Sequence, residues 1–154
     1  MSRKLLFWTL PFIFLFLSWS DSDIDNNPNV ADEAAVANKL ISLVNDHRAS
    51  IGKALLIRNA TADQLAAEHT SYMIAKNTIN HDNYDVRWET LENKENAEEV
   101  TENIGYDVSA EMAINECLQN IWLKANVEGD FTHTGIAVKK DKNGKYYYAQ
   151  IFFN

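Results

Sequence analysis

Two β-rich runs at the C-terminal end, residues 131–139 and 145–153, constrain the fold more than any other feature of the sequence. Asn143-Gly144 lies between them, and this dipeptide is a strong hairpin signal because both residues tolerate a positive φ. A strand with apolar side chains on both faces needs a covering layer on each side of its sheet. The first run has two such faces, with Ile136 and Val138 on one and Phe131 and Ala137 on the other. The sequence therefore predicts an α+β fold, a three-layer α-β-α sandwich with a C-terminal β-hairpin in a small central sheet.

Three segments before the hairpin have apolar residues at helical spacing and can supply the outer layers. They cover residues 32–51, 61–76 and 110–122. A capping-box pattern, Thr61-x-x-Gln64, predicts the start of the second helix. Ser109 is a favourable N-cap for the third helix, in which the apolar pattern predicts burial as far as Trp122. An acidic stretch before it leaves room for one short helix near residues 86–93.

The N-terminal segment has the pattern of a secretory signal peptide. Residues 1–4 include two basic side chains, residues 5–19 are almost entirely apolar, and the small residues Ser18 and Ser20 lie at the end. The apolar run is shorter than the ~20 residues that a membrane-spanning helix needs. We therefore predict a signal peptide over residues 1–20, cleaved after Ser20. The alternative is an uncleaved segment that anchors the chain.

The string that ends the apolar run is similar to a lipoprotein box, but Trp19 stands where the acceptor cysteine is required. Without that thiol, the chain cannot be lipidated there. Residues 21–34 are polar and contain Pro28, so they are predicted to form a flexible tether. The folded domain is then expected over residues 35–154, outside the cell or in the periplasm, with no stable membrane span once the signal is cleaved.

The net charge limits the classes of partner that this domain can bind. The chain has a formal net charge of -8, and the predicted signal peptide carries Arg3 and Lys4 but no acid, so its removal makes the domain still more acidic. Such a charge disfavours nucleic acids and anionic membrane surfaces as partners.

Cys117 is the only cysteine, which excludes an intramolecular disulfide, and it is expected to be a small buried side chain. We expect a monomer.

Six short strings resemble, in order, the motifs of CAP-superfamily domains. These domains, also called SCP domains, include cysteine-rich secretory proteins, antigen 5 and pathogenesis-related proteins, and the match is closest to short bacterial members without disulfides. The strings are Asn45-Asp-His-Arg48 with Gly52, Leu65-Ala-Ala-Glu-His69 with Met73, Ile79-Asn-His81, Thr101-Glu-Asn-Ile104, residues 129–136, and Tyr148-Ala-Gln-Ile-Phe152. The resemblance covers about residues 38–153. It implies an α-β-α sandwich with a cleft that in many members holds two histidines and two acids, and in some binds a divalent metal.

His81 and Glu102 match the first histidine and the first acid of that cleft. The second histidine belongs to a motif W-x-x-S-P-G-H-R-x-N-I, for which the corresponding stretch is residues 117–127. Cys117 stands in place of the tryptophan and Leu123 in place of the histidine. Because leucine neither binds a metal nor moves a proton, the resemblance implies an incomplete site. No cofactor is expected beyond a weakly bound divalent metal such as zinc on His81 and Glu102.

The roles of the other polar residues in these strings are predicted less specifically. His133, on a predicted strand, either replaces the missing histidine or is a structural or rim residue. His69 lies on an apolar helix stripe and is expected to be a core histidine. Asn45 and Arg48 are expected to form a hydrogen-bonded structural pair. No nucleophile turn and no phosphate-binding glycine loop is recognisable in the sequence.

Two main functions follow from these patterns. The first is a non-catalytic exported binding domain at or outside the cell envelope, whose ligand is lipid-like, a peptide or a cell-wall polymer. The alternative is a divalent-metal-dependent hydrolase that uses His81, Glu102 and His133. A purely structural role at the cell surface is a third. The leucine at position 123 favours the first.

Overall fold

A computed structural model describes residues 28–107 and 109–154 of the chain. The predicted signal peptide and residues 21–27 of the predicted tether lie outside this part. None of its helices is both long and apolar enough to cross a membrane. The elements, in chain order, are α1 (Pro28–Ser50), β1 (Ile57–Arg58), α2 (Ala60–Lys76), α3 (Tyr84–Glu95), β2 (Val100–Asp107), α4 (Ala110–Gln119), α5 (Ile121–Val127), β3 (His133–Lys140) and β4 (Tyr146–Phe153).

The four strands form one sheet in the order β1-β3-β4-β2. Strands β3 and β4 are the predicted hairpin and pair antiparallel, from His133 opposite Phe153 to Lys140 opposite Tyr146. Gly144 closes the turn with a φ of 84°. Strand β2 pairs antiparallel with the other side of β4, and β1 pairs parallel with β3. The prediction of a C-terminal hairpin in a small central sheet is confirmed.

Buried apolar residues form one core on each face of this sheet. Helices α1, α4 and α5 cover one face, where Leu40 packs in a cluster with Phe152. Helices α2 and α3 cover the other face, where Met73 and Leu91 pack in a cluster with Ile151. The apolar side chains on both faces of the hairpin therefore meet helices on both sides, and the three-layer sandwich is confirmed.

Helix α1 begins at Pro28, so the flexible tether predicted over residues 21–34 is corrected for residues 28–34. Proline is favourable in the first turn of a helix, where its missing N–H removes no helical hydrogen bond. The Glu33 carboxylate accepts the backbone N–H of Lys140 at 2.7 Å, and Asp32 accepts from the Lys140 ammonium at 2.7 Å. The polarity that suggested a tether instead anchors α1 to the end of the hairpin.

The second helix ends at Lys76 as predicted, but its N-cap is not the predicted one. Asn59 caps it, because its Oδ1 accepts the N–H of Ala62 at 2.9 Å. Thr61 instead donates its hydroxyl hydrogen to Glu95 of α3. The capping-box pattern predicted the wrong N-cap residue, because the sequence around Thr61 does not show that its hydroxyl group bonds to Glu95 on another helix.

The segment predicted as one helix over residues 110–122 forms two helices with a break at Asn120. Ser109 caps α4 as predicted. The Asn120 side chain accepts two N–H groups in the first turn of α5, so the chain changes direction there. Ile121 and Trp122 are consequently 75% and 79% exposed, although the helical pattern predicted burial.

Candidate functional site

Glu102, the candidate acid, lies on β2 with its carboxylate buried against α3. Arg87 of α3 binds it with two nitrogens, Nε donating to Oε2 at 2.9 Å and Nη2 donating to Oε1 at 2.6 Å. His81 bonds to the same Oε1 at 2.7 Å through Nδ1. Bidentate pairing of this kind is among the stronger hydrogen-bonding arrangements in proteins. Both carboxylate oxygens are therefore already engaged by neighbouring side chains.

The pKa of Glu102 lies below its ordinary value as the result of opposing causes. Burial raises the pKa, because it penalises the charged form of the carboxyl group. Hydrogen bonds from His81 and Arg87, together with the positive charge of Arg87, lower the pKa by more. Glu102 is thus ionised at neutral pH, with its charge compensated inside the protein.

His81 lies at the surface end of this cluster, with 59% of its side chain exposed. A carboxylate only accepts hydrogen bonds, so Nδ1 carries the hydrogen that faces Glu102, and Nε2 is the nitrogen left for a ligand. The loop between α2 and α3 fixes the residue, and the His81 carbonyl accepts the N–H of Tyr84 at 3.1 Å. The structure therefore brings the predicted residues His81 and Glu102 together.

Arg87 is a site residue that the sequence patterns did not identify. It is buried, and its Nη1 donates to the Asp82 carbonyl at 2.8 Å and to His69 Nδ1 at 3.2 Å. One signal was available, since Arg87 and Leu91 are four residues apart on one face of α3 and both are buried. An arginine that shares a helix face with a core leucine needs an internal partner.

His69 is the core histidine that its apolar stripe predicts. It is buried on α2, and its Nε2 bonds to the Asn80 carbonyl at 2.7 Å. Burial, and next the positive charge of Arg87, lower the pKa of His69. A neutral ring with its hydrogen on Nε2 leaves Nδ1 as the acceptor for Arg87. His69 therefore orients the arginine rather than facing the ligand side of the cluster.

His81 and Glu102 line a cavity of about 420 Å³ whose walls come from α3, β2 and α5. The other lining residues are Tyr84, Thr101, Trp122, Leu123, Ala125 and Asn126. Leu123, which replaces the histidine of the family motif, thus lines the same cavity as His81. A cavity of this size is within the range of small-molecule sites, roughly 300–1,000 Å³.

Two asparagines hold α5 against β2 and so fix the cavity wall. Asn103 is fully buried and donates to the Leu123 carbonyl at 3.0 Å. Asn126 donates to Asn103 Oδ1 at 2.8 Å. The position of Leu123 in the cavity follows from these bonds to its helix.

Arg48 of α1 fixes the far end of α5. It is 1% exposed, and burial lowers its pKa while the nearby Asp130 raises it. Its guanidinium donates to four backbone carbonyl groups, those of Ala54 at 2.8 Å, Val127 at 2.8 Å, Gly129 at 2.9 Å and Phe131 at 3.0 Å.

Asn45, the predicted partner of Arg48, also binds backbone. Its side chain donates to the Leu56 carbonyl at 3.2 Å and accepts the Leu56 N–H at 2.9 Å, beside the edge strand β1. Asn45 and Arg48 are therefore both structural, but the predicted bond between them is replaced by separate bonds to the main chain.

His133 is not part of the His81 and Glu102 cluster. It starts β3 opposite Phe153, stacks on that ring with 5.1 Å between centroids, and its Nδ1 bonds to Thr132 Oγ1 at 2.8 Å. Strand β4 separates β3 from β2, which places the two backbones roughly 10 Å apart. Among the described residues, no group of three or more histidine, cysteine, aspartate or glutamate side chains could hold a metal ion.

Cys117 is a residue of α4 and is buried in the core, as predicted. Its Sγ lies 3.8 Å from the Tyr148 hydroxyl and 3.8 Å from Asn103 Nδ2. Burial is the main cause that raises the pKa of the thiol, so the side chain is a neutral packing group at physiological pH.

Solved structures of three bacterial proteins are among those with a similar fold. An extracellular protein containing an SCP domain from Bacillus anthracis str. Ames has a TM-score of 0.73 and 19% identity, over 84% of this chain and 43% of that chain. An outer surface protein from Borrelia burgdorferi has a TM-score of 0.68 and 15% identity, over 85% and 96%. A cysteine-rich secretory protein from Staphylococcus aureus subsp. aureus Mu50 has a TM-score of 0.66 and 16% identity, over 80% and 40%. This chain thus spans less than half the length of the Bacillus and Staphylococcus chains.

No curated protein matches the chain at a significant level. The family model of the cysteine-rich secretory proteins, CAP, matches residues 41–152, which is more than half of the sequence. This match includes the strands and helices that build the cavity and both His81 and Glu102. The chain therefore belongs to the cysteine-rich secretory protein (CAP) family.

Proposed function

We propose that this chain is an exported CAP domain that binds a ligand without a catalytic metal, and that the ligand enters the cavity lined by His81 and Leu123. The observation that carries the proposal is the state of Glu102, whose two oxygens are bound by Arg87 and His81. A divalent cation at this carboxylate would have to displace the guanidinium or remain beside a buried positive charge that repels it. The residues present therefore do not fit the metal that some members of the family hold.

The number of available donors leads to the same proposal. Zinc sites use three or four protein ligands. In the part of the chain that the structure describes, His81 offers one ring nitrogen that bonds to no other residue. Leu123 has no atom that can bind a metal, and His133 lies on another strand and bonds to Thr132. The alternative of a metal-dependent hydrolase built on His81, Glu102 and His133 lacks the convergence of side chains that it requires.

Replacing Leu123 with histidine is expected to raise the affinity for zinc by about 10- to 100-fold, because it adds a second imidazole to the cavity that His81 lines. Calorimetric titration with zinc measures this, and Leu55→His, on the exposed surface, controls for an added histidine. The unaltered protein is expected to show no micromolar zinc binding. Micromolar binding that disappears in His81→Ala would contradict the proposal, and no gain in Leu123→His would show that the missing histidine is not what keeps zinc out of the cavity.

Export is part of the proposed function. The similar proteins from Bacillus and Borrelia are described as an extracellular and an outer surface protein, which supports it. Mass spectrometry of the exported protein is expected to find a mature N-terminus at Asp21. A protein that still begins with Met1 would show that the signal segment is retained as an anchor.

A further inference from the structure

We infer that the ligand of this cavity is a neutral polysaccharide, with one sugar ring packed on the exposed side chain of Trp122; this inference rests on the proposed binding function. Trp122 lines the cavity and is 79% exposed, an unusual position for so large an apolar side chain. The break at Asn120 holds it there. A flat indole with polar groups beside it complements a sugar ring, which has apolar C–H faces and a rim of hydroxyl groups.

The polar groups of the cavity suit hydroxyl groups in particular. His81 Nε2 can accept a hydrogen bond, because Nδ1 is committed to Glu102. Thr101, next to Glu102 on β2, also lines the cavity and carries a hydroxyl group that can donate or accept. A sugar hydroxyl both donates and accepts, so it can bond to His81 Nε2.

Charge favours a neutral polymer. Among the described residues that line the His81 cavity, Glu102 is the one acid, and Arg87 compensates its charge. The described lining of this cavity therefore holds no uncompensated acid that would demand a cationic ligand. The chain as a whole carries a net charge of -8, which repels polyanions.

A second cavity indicates a polymer rather than a single sugar. It measures about 550 Å³ and is lined by Met112, Asn115, Glu116, Gln119 and Asn120. Asn120 lines this cavity and Trp122 lines the first, with only Ile121 between them in the chain. Asn115 and Gln119 in its lining carry amide groups, which donate and accept as sugar hydroxyls do. A ligand that crosses the corner between α4 and α5 would contact both cavities.

The test is a calorimetric titration of the purified protein with chitohexaose and cellohexaose, each compared with its disaccharide. At least one hexasaccharide is expected to bind, and more tightly than its disaccharide.

Trp122→Ala is expected to weaken binding of the hexasaccharide at least about tenfold, whereas Trp122→Phe is expected to keep most of the affinity. Trp122 is exposed, so its loss leaves the core intact, and Leu55→Ala, an exposed apolar truncation outside both cavities, is the control with unchanged affinity. Gln119→Ala is expected to weaken the hexasaccharide but not the disaccharide.

Absence of binding by both hexasaccharides would overturn the inference, as would equal losses in Trp122→Ala and Leu55→Ala. Stronger binding of the polyanion polygalacturonate, or of a cell-wall stem peptide, would also overturn it. The zinc titration distinguishes failure of the proposed ligand class from failure of the proposed function. If neither glycan binds and zinc does not bind either, only the proposed ligand class is wrong. Micromolar zinc bound through His81 would contradict the proposed function itself.

Discussion

Arg48→Ala is expected to lower the free energy of unfolding by about 3–5 kcal/mol, a loss comparable to that of a large core truncation. The guanidinium donates to carbonyl groups in the loop after α1, at the end of α5 and in the loop before β3. Alanine would leave these carbonyls without a donor, and a buried polar group without a partner is costly. Lysine is not expected to rescue the protein, because one ammonium group cannot span the positions that the guanidinium fork reaches. Unfolding in urea measures the effect.

Arg58→Ala is the matched control for this prediction. Arg58 is an exposed arginine whose Nε pairs with Asp63 at 2.7 Å. Surface ion pairs of this kind contribute about 0–1 kcal/mol. Similar losses of stability in the two variants would contradict the role assigned to Arg48.

Arg87→Met is expected to lower the free energy of unfolding by about 3–5 kcal/mol at neutral pH, because it leaves the buried carboxylate of Glu102 without its cation. The effect should depend on pH. In the intact protein the pKa of Glu102 is depressed, so the ionised carboxylate stabilises the fold at any pH above the pKa that Glu102 has in the unfolded chain. This stabilisation is lost as the pH falls through the lower pKa of the folded protein. Without Arg87, burial is expected to raise that pKa. The difference between variant and parent should therefore shrink as the pH falls from neutral to about 4 and below.

The double variant Arg87→Met with Glu102→Leu provides the control for charge. Replacing both partners of a buried ion pair by apolar residues is often close to neutral, so the double variant is expected to be more stable than Arg87→Met at neutral pH. Urea unfolding of the three proteins at neutral and acidic pH measures both effects. A loss in Arg87→Met that is independent of pH, or a double variant no more stable than the single one, would contradict this role of Arg87.

The fold could be predicted from the sequence because its strongest signals are local. The hairpin followed from alternating apolar faces around Gly144, and the apolar periodicity indicated the covering helices. The errors arose where a polar residue had a distant partner. Asn59 rather than Thr61 caps α2, and Thr61 bonds to Glu95 of α3 instead. Glu33, in the segment predicted as a tether, lies in α1 and binds the Lys140 N–H of the hairpin.

The candidate site could be predicted only in part. His81 and Glu102 came from the resemblance to the CAP family, and the structure places them in contact. Arg87 was hidden among acidic residues, because its role depends on a partner on β2 that local sequence does not reveal. The exposure of Trp122 depends on a helix break at Asn120, where the apolar pattern continues without interruption.

The claim that Arg87 and Leu123 close the family's cleft to metal is tested most directly by a crystal structure of the protein grown with zinc, with anomalous diffraction recorded at the zinc edge. We predict that Arg87 remains on both oxygens of Glu102 and that no anomalous peak lies between His81 and Glu102. A zinc ion about 2.0–2.2 Å from His81 and from Glu102, with Arg87 displaced, would contradict the account.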